Sequence, residues 1–454
     1  MLRYKFAFIL IGFGVLPLAA QQDLSTPFYQ NLWQANRTNP AFMPEHKFVI
    51  GLPGIYNNLF VENITYNDLI VERDGQNIVD VDQGIASLDR DNLLRENLDL
   101  ETISLGFKRG NFLISIGHTL RYNAYANYPK TLPQLIWQGN AQFIDQNVAF
   151  GPDLQLNAYH EYGLGLAYQV GSKLSIGAKA KYLSGVADVS TSRNDLRLST
   201  SDDVYQLELD ADFLVNSSGA LQYDGFDQLD LDFSFGQVET EQLFSSNTGW
   251  AFDLGVHLDL GKLDIGISAL DIGGQIDWQE DVRNYSLQGQ FEYQGLNVAE
   301  SILDSQTDLG NAIDTLREIY NPIETQQGYS TELPLRTYLT LGYDLTQKIR
   351  LGALFYTESY RDETYGALAL NGQWALHPFL TVGATYAYRQ QRFDNFGLQA
   401  IAKVGPVQVV AATDNIFTVI QPKDSHSANF RVGLNLLFNK AQEEDWNQRE
   451  SFFE

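Results

Sequence analysis

The sequence of 454 residues contains no cysteine, 2 methionines and fewer positive than negative side chains. Without thiols it forms no disulfide, no thiolate metal site and no cysteine nucleophile. It has 30 Lys and Arg against 56 Asp and Glu, a formal net charge of −26. Because phosphate binding needs a basic surface, this charge argues against a nucleic-acid partner. After residue 20 no run of ~18 apolar residues occurs, so we expect no transmembrane helix.

The first twenty residues have the three parts of a secretion signal. Arg3 and Lys5 precede an apolar run over residues 6–18, and Ala19-Ala20 supply small residues before Gln21. We therefore predict a signal peptide over residues 1–20. The alternative, a membrane anchor, needs a longer apolar run.

Alternation of apolar and polar residues dominates the rest of the chain. From Trp250 to Leu260 every second residue is apolar, and those between are small or polar. Similar segments of ~10 residues start near residues 162, 174, 339, 349, 380 and 430, and each predicts a strand with one apolar face. The abundance of aromatic residues, 24 Tyr and 27 Phe, fits such strands and not a disordered chain.

Three features favour a transmembrane β-barrel over a soluble β-sandwich. The strands are long, aromatics stand at the ends of their apolar faces, and charged residues occur in mid-strand on the other face. Links alternate between short ones, such as Gly261 and Gly405, and long ones, such as 123–157 and 273–334. We predict an all-β, antiparallel barrel over residues 46–439 with 16 strands if the hairpin at 204–233 spans the membrane, and about 14 if it does not.

Several polar residues fall on the expected inner face of the barrel. Asp253, His257 and Asp259 share one face of a strand, and Lys179 and Lys181 share a face of another. They are candidates for a proton or cation site, but a solvated lumen wall is the favoured interpretation, because lumen residues are generally polar. Residues 198–261 contain many acids and no Lys or Arg, so pairs such as Asp210 and Asp212 are candidates for calcium ligands. An acidic rim is the plainer interpretation.

The sequence contains no pattern typical of an enzyme. The six histidines are scattered, with neither a zinc-binding pair nor a nucleophile elbow. We expect no enzymatic activity, no cofactor and no bound metal.

Two segments depart from the alternation. Residues 21–45 contain three prolines together with aromatics that need burial, and glycines recur on the inner face of the strands. We therefore expect this segment to plug the barrel, with Trp33, Asn39, Pro40 and Phe42 as its candidate contacts. Within 297–320, apolar residues recur at helical spacing and predict an amphipathic helix in the longest loop.

The last strand ends in a pattern that is typical of a barrel-assembly signal. Its polar, small, apolar and aromatic positions are Arg431, Gly433, Leu436 and Phe438. We predict that the barrel-assembly machinery recognises them, and that residues 440–454 form an acidic periplasmic tail.

Three motifs together resemble a known family. They are Asn39-Pro-Ala-Phe42 with the following Gly51-Leu-Pro53 and Tyr66-Asn-Asp-Leu69, the segment from Tyr159 to Gly165, and the segment from Lys173 to Gly185. They resemble a domain-of-unknown-function family of outer-membrane β-barrels from Bacteroidetes. More distantly the sequence is similar to the PorP/SprF-like proteins of type IX secretion and to FadL-type transporters.

The resemblance implies an outer-membrane location and contact with the lipid bilayer. Two functions remain open at this point. The first is a channel or transporter for an apolar or small solute. The second is a non-enzymatic anchoring or assembly partner for surface or secretion proteins, in which the acidic loops and the periplasmic tail bind a partner protein.

Overall fold

A computed structural model describes residues 24–73, 75–201, 206–219, 221–223, 229–231, 242–293, 322–361, 363–389 and 392–440. The predicted helix within 297–320, the signal peptide and residues 441–454 lie outside these residues.

The strands are β1 (His46–Gly51), β2 (Gly54–Val61), β3 (Ile70–Arg73), β4 (Gln76–Val79), β5 (Asp91–Arg109), β6 (Phe112–Pro129), β7 (Asn147–Ala149), β8 (Asp153–Val170), β9 (Leu174–Thr200), β10 (Leu207–Ser218), β11 (Leu221–Tyr223), β12 (Leu229–Leu231), β13 (Thr248–Asp259), β14 (Leu263–Trp278), β15 (Val282–Tyr293), β16 (Ile323–Thr325), β17 (Tyr329–Glu332), β18 (Leu335–Asp344), β19 (Ile349–Tyr360), β20 (Glu363–His377), β21 (Leu380–Arg389), β22 (Arg392–Val404), β23 (Val407–Thr413) and β24 (Ser427–Lys440).

The wall is a closed antiparallel barrel of fourteen strands, as the alternation predicts. Two of the fourteen wall strands are interrupted at a proline. β1 and β2 form one of them, on either side of Pro53, and β17 and β18 form the other, on either side of Pro334. The last strand pairs with the first, where Phe438 lies opposite Phe48, and Phe48 in turn lies opposite Phe107 of β5. Because the first and last strands pair, the wall has no free edge.

The hairpin that left the strand count open does not cross the wall. β10 pairs with the far half of β9 on one side and with β15 on the other. These strands continue the sheet beyond the barrel, while the near half of β9 pairs with β13. The lower of the two predicted strand counts is therefore the observed one.

The two ends of the barrel differ in their connections. At one end, the turn end, links of a few residues join β5 to β6, β8 to β9, β13 to β14, β18 to β19, β20 to β21 and β22 to β23. The other end, the loop end, carries the long connections, but β19–β20 and β21–β22 are also joined tightly there.

The helices of the described residues are all short. The α-helical segments are Tyr66–Leu69, Val81–Ser87, Thr131–Pro133 and Phe417–Ile420; a π-turn covers Gln134–Gln138, and 3-10 turns cover Thr26–Phe28, Trp33–Arg37, Ala141–Phe143, Gln242–Phe244 and Pro422–Asp424. No helix among the described residues is long and apolar enough to cross a membrane.

Side chains alternate between the two faces of the wall. On β13 the outward Leu254 is 54% exposed, whereas its neighbour Asp253 is 1% exposed. Exposed apolar side chains form a belt around the outside, for example Ile116, Leu166, Leu341 and Leu370. Such a belt suits contact with lipid chains.

Candidate functional site

Residues 24–45, here called the N-terminal segment, lie inside the barrel and lead into β1 at the turn end. Two 3-10 turns compact the segment, and Pro27 lies in the first turn of the first, where its fixed φ favours this conformation. In the described part of the chain, the backbone–backbone hydrogen bonds of residues 25–42 all remain within the segment. The segment therefore fills the lumen without joining the strand ladder of the wall.

Glycines on the inner face of the wall give the segment its room. A methyl group on Gly106 would overlap the indole of Trp33, and one on Gly177 would overlap the backbone at Pro40. Six further inward glycines have segment atoms within contact distance: Gly51, Gly255, Gly266, Gly352, Gly383 and Gly433. Since any Cβ at these positions would occupy the same space, glycine permits the close approach.

Side-chain hydrogen bonds fasten the segment to several sides of the wall. Tyr29 Oη donates to Gln399 Oε1 at 3.0 Å, on β22. Trp33 Nε1 donates to Ser104 Oγ at 2.7 Å, on β5. Gln34 and Asn435 exchange two amide hydrogen bonds of 3.0 and 2.8 Å, which join the segment to the last strand.

The Asn39-Pro-Ala-Phe42 motif contacts the opposite side of the lumen. Asn39 Nδ2 donates to the Val256 carbonyl at 3.1 Å, while its Oδ1 accepts from the Ala41 amide at 2.9 Å. Phe42 meets the ring of His257 edge to face, with centroids 5.2 Å apart. The motif thus docks on β13 and β14.

Farther from the turn end, charged side chains replace apolar contacts in the lumen. Arg37 of the segment is paired with Asp99 at 2.8 Å and with Glu101 of β5. Glu101 also pairs with Arg431 of β24 at 3.0 Å, and the Arg431 guanidinium lies 4.6 Å from the centre of the Tyr56 ring. One arginine of the segment is therefore bound to the wall by two carboxylates.

The same ion pairs continue across the lumen to Lys181. Arg121 Nε lies 2.9 Å from Glu161, and Lys181 Nζ lies 2.8 Å from Asp253 and 2.7 Å from Asp271. Arg336 also pairs with Asp271. We call the connected set the lumen ion network: Arg37, Asp99, Glu101, Arg121, Glu161, Lys181, Asp253, Asp271, Arg336 and Arg431.

Most members of the network are removed from solvent. The Lys181 side chain is 2% exposed, and those of Asp253 and Asp271 are similarly buried. Buried ion pairs give little net stability, but losing one partner leaves a costly isolated charge. The network therefore requires all its members to stay in place together.

The five candidates on the inner face do not form one site. Lys181 and Asp253 meet in the network, whereas Asp259 is exposed in the turn end and accepts from the Gly261 amide at 2.8 Å. His257 lies 3.5 Å from Asp264 and contacts Phe42. Lys179 donates to the Asn36 carbonyl of the N-terminal segment at 3.4 Å.

No sequence motif singles out Arg37, Glu101, Arg121, Asp271 or Arg336. Arg121 and Glu101 do lie in mid-strand on inward positions. The alternation of the strands therefore predicts that both face the lumen, but not which charges they meet. Which charges meet depends on the register between strands that are distant in the sequence.

The acidic loop residues do not gather into a metal site in the described part of the chain. There, no group of three or more Asp, Glu or His is placed to hold a metal. Asp212 is instead paired with Arg193 at 2.8 Å, and Asp210 lies opposite Arg197 in the ladder.

The four positions of the last-strand pattern have different surroundings. Arg431 and Gly433 face inward, to the lumen ion network and to Gln34 respectively. Leu436 lies opposite Ile50, and the Phe438 ring lies 6.1 Å from that of Phe48. The latter two thus belong to the seam between the last strand and the first.

A closed ladder of fourteen strands, an apolar outer belt and a polar interior define a transmembrane β-barrel of the outer-membrane type. The chain belongs to the Family of unknown function (DUF5723), whose model matches residues 40–414. The family resemblance expected from the sequence is thereby confirmed.

Solved structures with a similar fold include three barrels. The toluene transporter TbuX of Ralstonia pickettii has a TM-score of 0.43 and 10% identity, covering 89% of this chain and 93% of its own. A FadL homologue of Pseudomonas aeruginosa has a TM-score of 0.40 and 10% identity, covering 91% and 95%. The toluene transporter TodX of P. putida has a TM-score of 0.42 and 10% identity, covering 89% and 94%. Comparison with curated proteins gives no match.

Proposed function

We propose that the protein is an outer-membrane channel or transporter for a small or apolar solute, and that the N-terminal segment is its gate. The observation that supports this most is how the segment is held. Side-chain hydrogen bonds, ion pairs and glycine contacts bind it to the wall, with no shared strand ladder among the described residues. Moving the segment therefore leaves the wall ladder unbroken.

Arg37 is the contact that sets how firmly the gate is closed. Its guanidinium pairs with Asp99, which is buried, and with Glu101, which is half-buried. If the segment left without a substitute charge, these carboxylates would lose a cation that compensates their desolvation. Opening thus needs water or solute groups to reach the carboxylates, which couples solute entry to release of the gate.

A reversible cross-link tests whether the gate must move. Because the chain has no cysteine, the pair Gln34→Cys and Asn435→Cys introduces two unique thiols where the native amides bond. A reducible bifunctional thiol reagent would tie the segment to β24. We expect solute uptake into liposomes containing the protein to fall on cross-linking and to recover on reduction.

A matched control is a cross-link within the wall. Asn97→Cys and Asn123→Cys replace two side chains that bond across β5 and β6 at 2.7 Å, away from the segment. Their cross-link should leave uptake unchanged. Equal uptake with the segment tied and free would contradict the gate.

The alternative function gives a different result in the same assay. An anchoring or assembly partner has no need to pass solute, so the free, reduced protein would be silent to every solute tried. Such silence would contradict transport. A partner protein that co-purifies from native membranes at constant stoichiometry would then support anchoring.

A further inference from the structure

The turn end of the barrel is basic, although the protein as a whole is strongly acidic. The links and strand ends there cover residues 45–47, 108–112, 170–174, 259–263, 344–349, 376–380, 403–407 and 439–440, with eight cationic and three anionic side chains. We call the eight the turn rim: Lys47, Lys108, Arg109, Lys173, Lys262, Lys348, Lys403 and Lys440. A net charge of −26 over the whole chain makes this concentration of cations a local feature.

Most of these cations keep their charge available to a ligand. Lys47, Arg109, Lys173, Lys262 and Lys348 are exposed. Two of the three anions of this end already have partners, since Glu45 pairs with Lys440 at 3.0 Å and Asp344 with Arg350 at 2.9 Å. The rim therefore presents a surplus of positive charge around the mouth of the barrel.

The chain itself has an acidic segment that begins at this rim. Residues 441–454 follow Lys440 directly and contain one cation, Arg449. Their five acidic side chains are Glu443, Glu444, Asp445, Glu450 and Glu454.

The segment is long enough to reach the cations on the far side of the rim. Fully extended, it reaches about 45–50 Å, at roughly 3.3–3.6 Å per residue. A barrel of fourteen tilted strands is roughly 30 Å wide, from the spacing and tilt of barrel strands. Its tether also gives it an effective concentration on the order of millimolar at the rim.

We propose that the turn rim is the docking surface for residues 441–454 of the same chain. The complementary charges and the point of attachment both support this occupant. Docking of this segment does not require the barrel to transport a solute.

Zero-length carbodiimide cross-linking of the wild-type protein tests this contact. The protein would be held in nanodiscs of uncharged lipid, and cross-linked peptides identified by mass spectrometry. We expect amide bonds from Glu443, Glu444 or Asp445 to Lys173, Lys262 or Lys348. The yield should fall about tenfold in 1 M salt, where the screening length is about 3 Å.

The controls separate this occupant from others. Lys423 lies in the loop end and should give no link to the segment. Links confined to Lys440, or no links, would overturn the proposal. So would links between isotope-labelled and unlabelled copies, which would identify a second chain as the occupant, or loss of the links when anionic phospholipid is added, which would assign the rim to lipid headgroups.

Discussion

Gly106 lies against the indole of Trp33, so closely that a single methyl group on the glycine would overlap the ring. The same indole donates its Nε1 hydrogen to Ser104, two residues earlier on β5. One short stretch of wall thus both makes room for the tryptophan and binds it.

Replacing this glycine should unseat the N-terminal segment. Gly106→Val fills the space of the Trp33 ring, and such overpacking costs about 1–3 kcal/mol. We expect more frequent channel openings in planar bilayers and faster proteolysis of residues 24–45. Gly372→Val is the matched control, because a Cβ at Gly372 meets no atom within 4 Å. Equal behaviour of the two variants would mean that Trp33 does not hold the segment.

The outward position of Leu254 gives a prediction for membrane insertion. An arginine facing lipid near the middle of a barrel strand costs roughly 2–4 kcal/mol, so Leu254→Arg should strongly reduce the inserted, heat-modifiable form on gels. Leu254→Ala keeps the apolar character and should insert nearly normally. If both variants insert equally, the face assigned to lipid is wrong.

Lys181 should be the most sensitive single position of the lumen ion network. Lys181→Met leaves Asp253 and Asp271 buried with one cation fewer, and removal of one buried partner costs about 3–5 kcal/mol. Adding Asp253→Asn removes one of the two buried carboxylates that Lys181 neutralised. The double variant should recover part of the lost stability, since Arg336 still pairs with Asp271. Urea unfolding, followed by loss of heat modifiability, measures both. Additive losses would show that the two residues are not coupled.

The seam between the first and last strands should depend on Phe438. Phe438→Ala removes the ring that contacts Phe48, and with it the aromatic end of the predicted assembly signal. We expect slower membrane insertion, measured by the appearance of the heat-modifiable band. Deletion of 441–454 should leave this rate unchanged, because those residues follow the seam. Slower insertion of the deletion variant alone would place the signal beyond Phe438.

The sequence predicts the wall better than its contents. A period of two assigns each side chain to a face, and this is sufficient to place Leu254 outside and Asp253 inside. It does not reveal what lies against the inner face. The sequence interpretation of a solvated lumen wall does not describe Asp253, which is buried against Lys181.

The strand count required pairing partners that no local pattern contains. β10 alternates like a wall strand, with Leu209 and Ala211 buried and Glu208 and Asp210 exposed, but it belongs to an extension of the sheet. Similarly, the Asn-Pro-Ala motif and the inward glycines indicated close packing in the lumen, whereas the pairing of Arg37 with Asp99 and Glu101 depends on the path of the chain in three dimensions.

The reciprocal amide pair of Gln34 and Asn435 joins residues that are 401 positions apart in the chain. Contacts of such separation form late, because a very long loop must first be closed. β24 follows every other wall strand in the chain, so the binding surface for the N-terminal segment is complete only when β24 has joined the wall. Filling the barrel and sealing it are therefore expected to be one concerted final step, and a chain stalled before β24 would have neither.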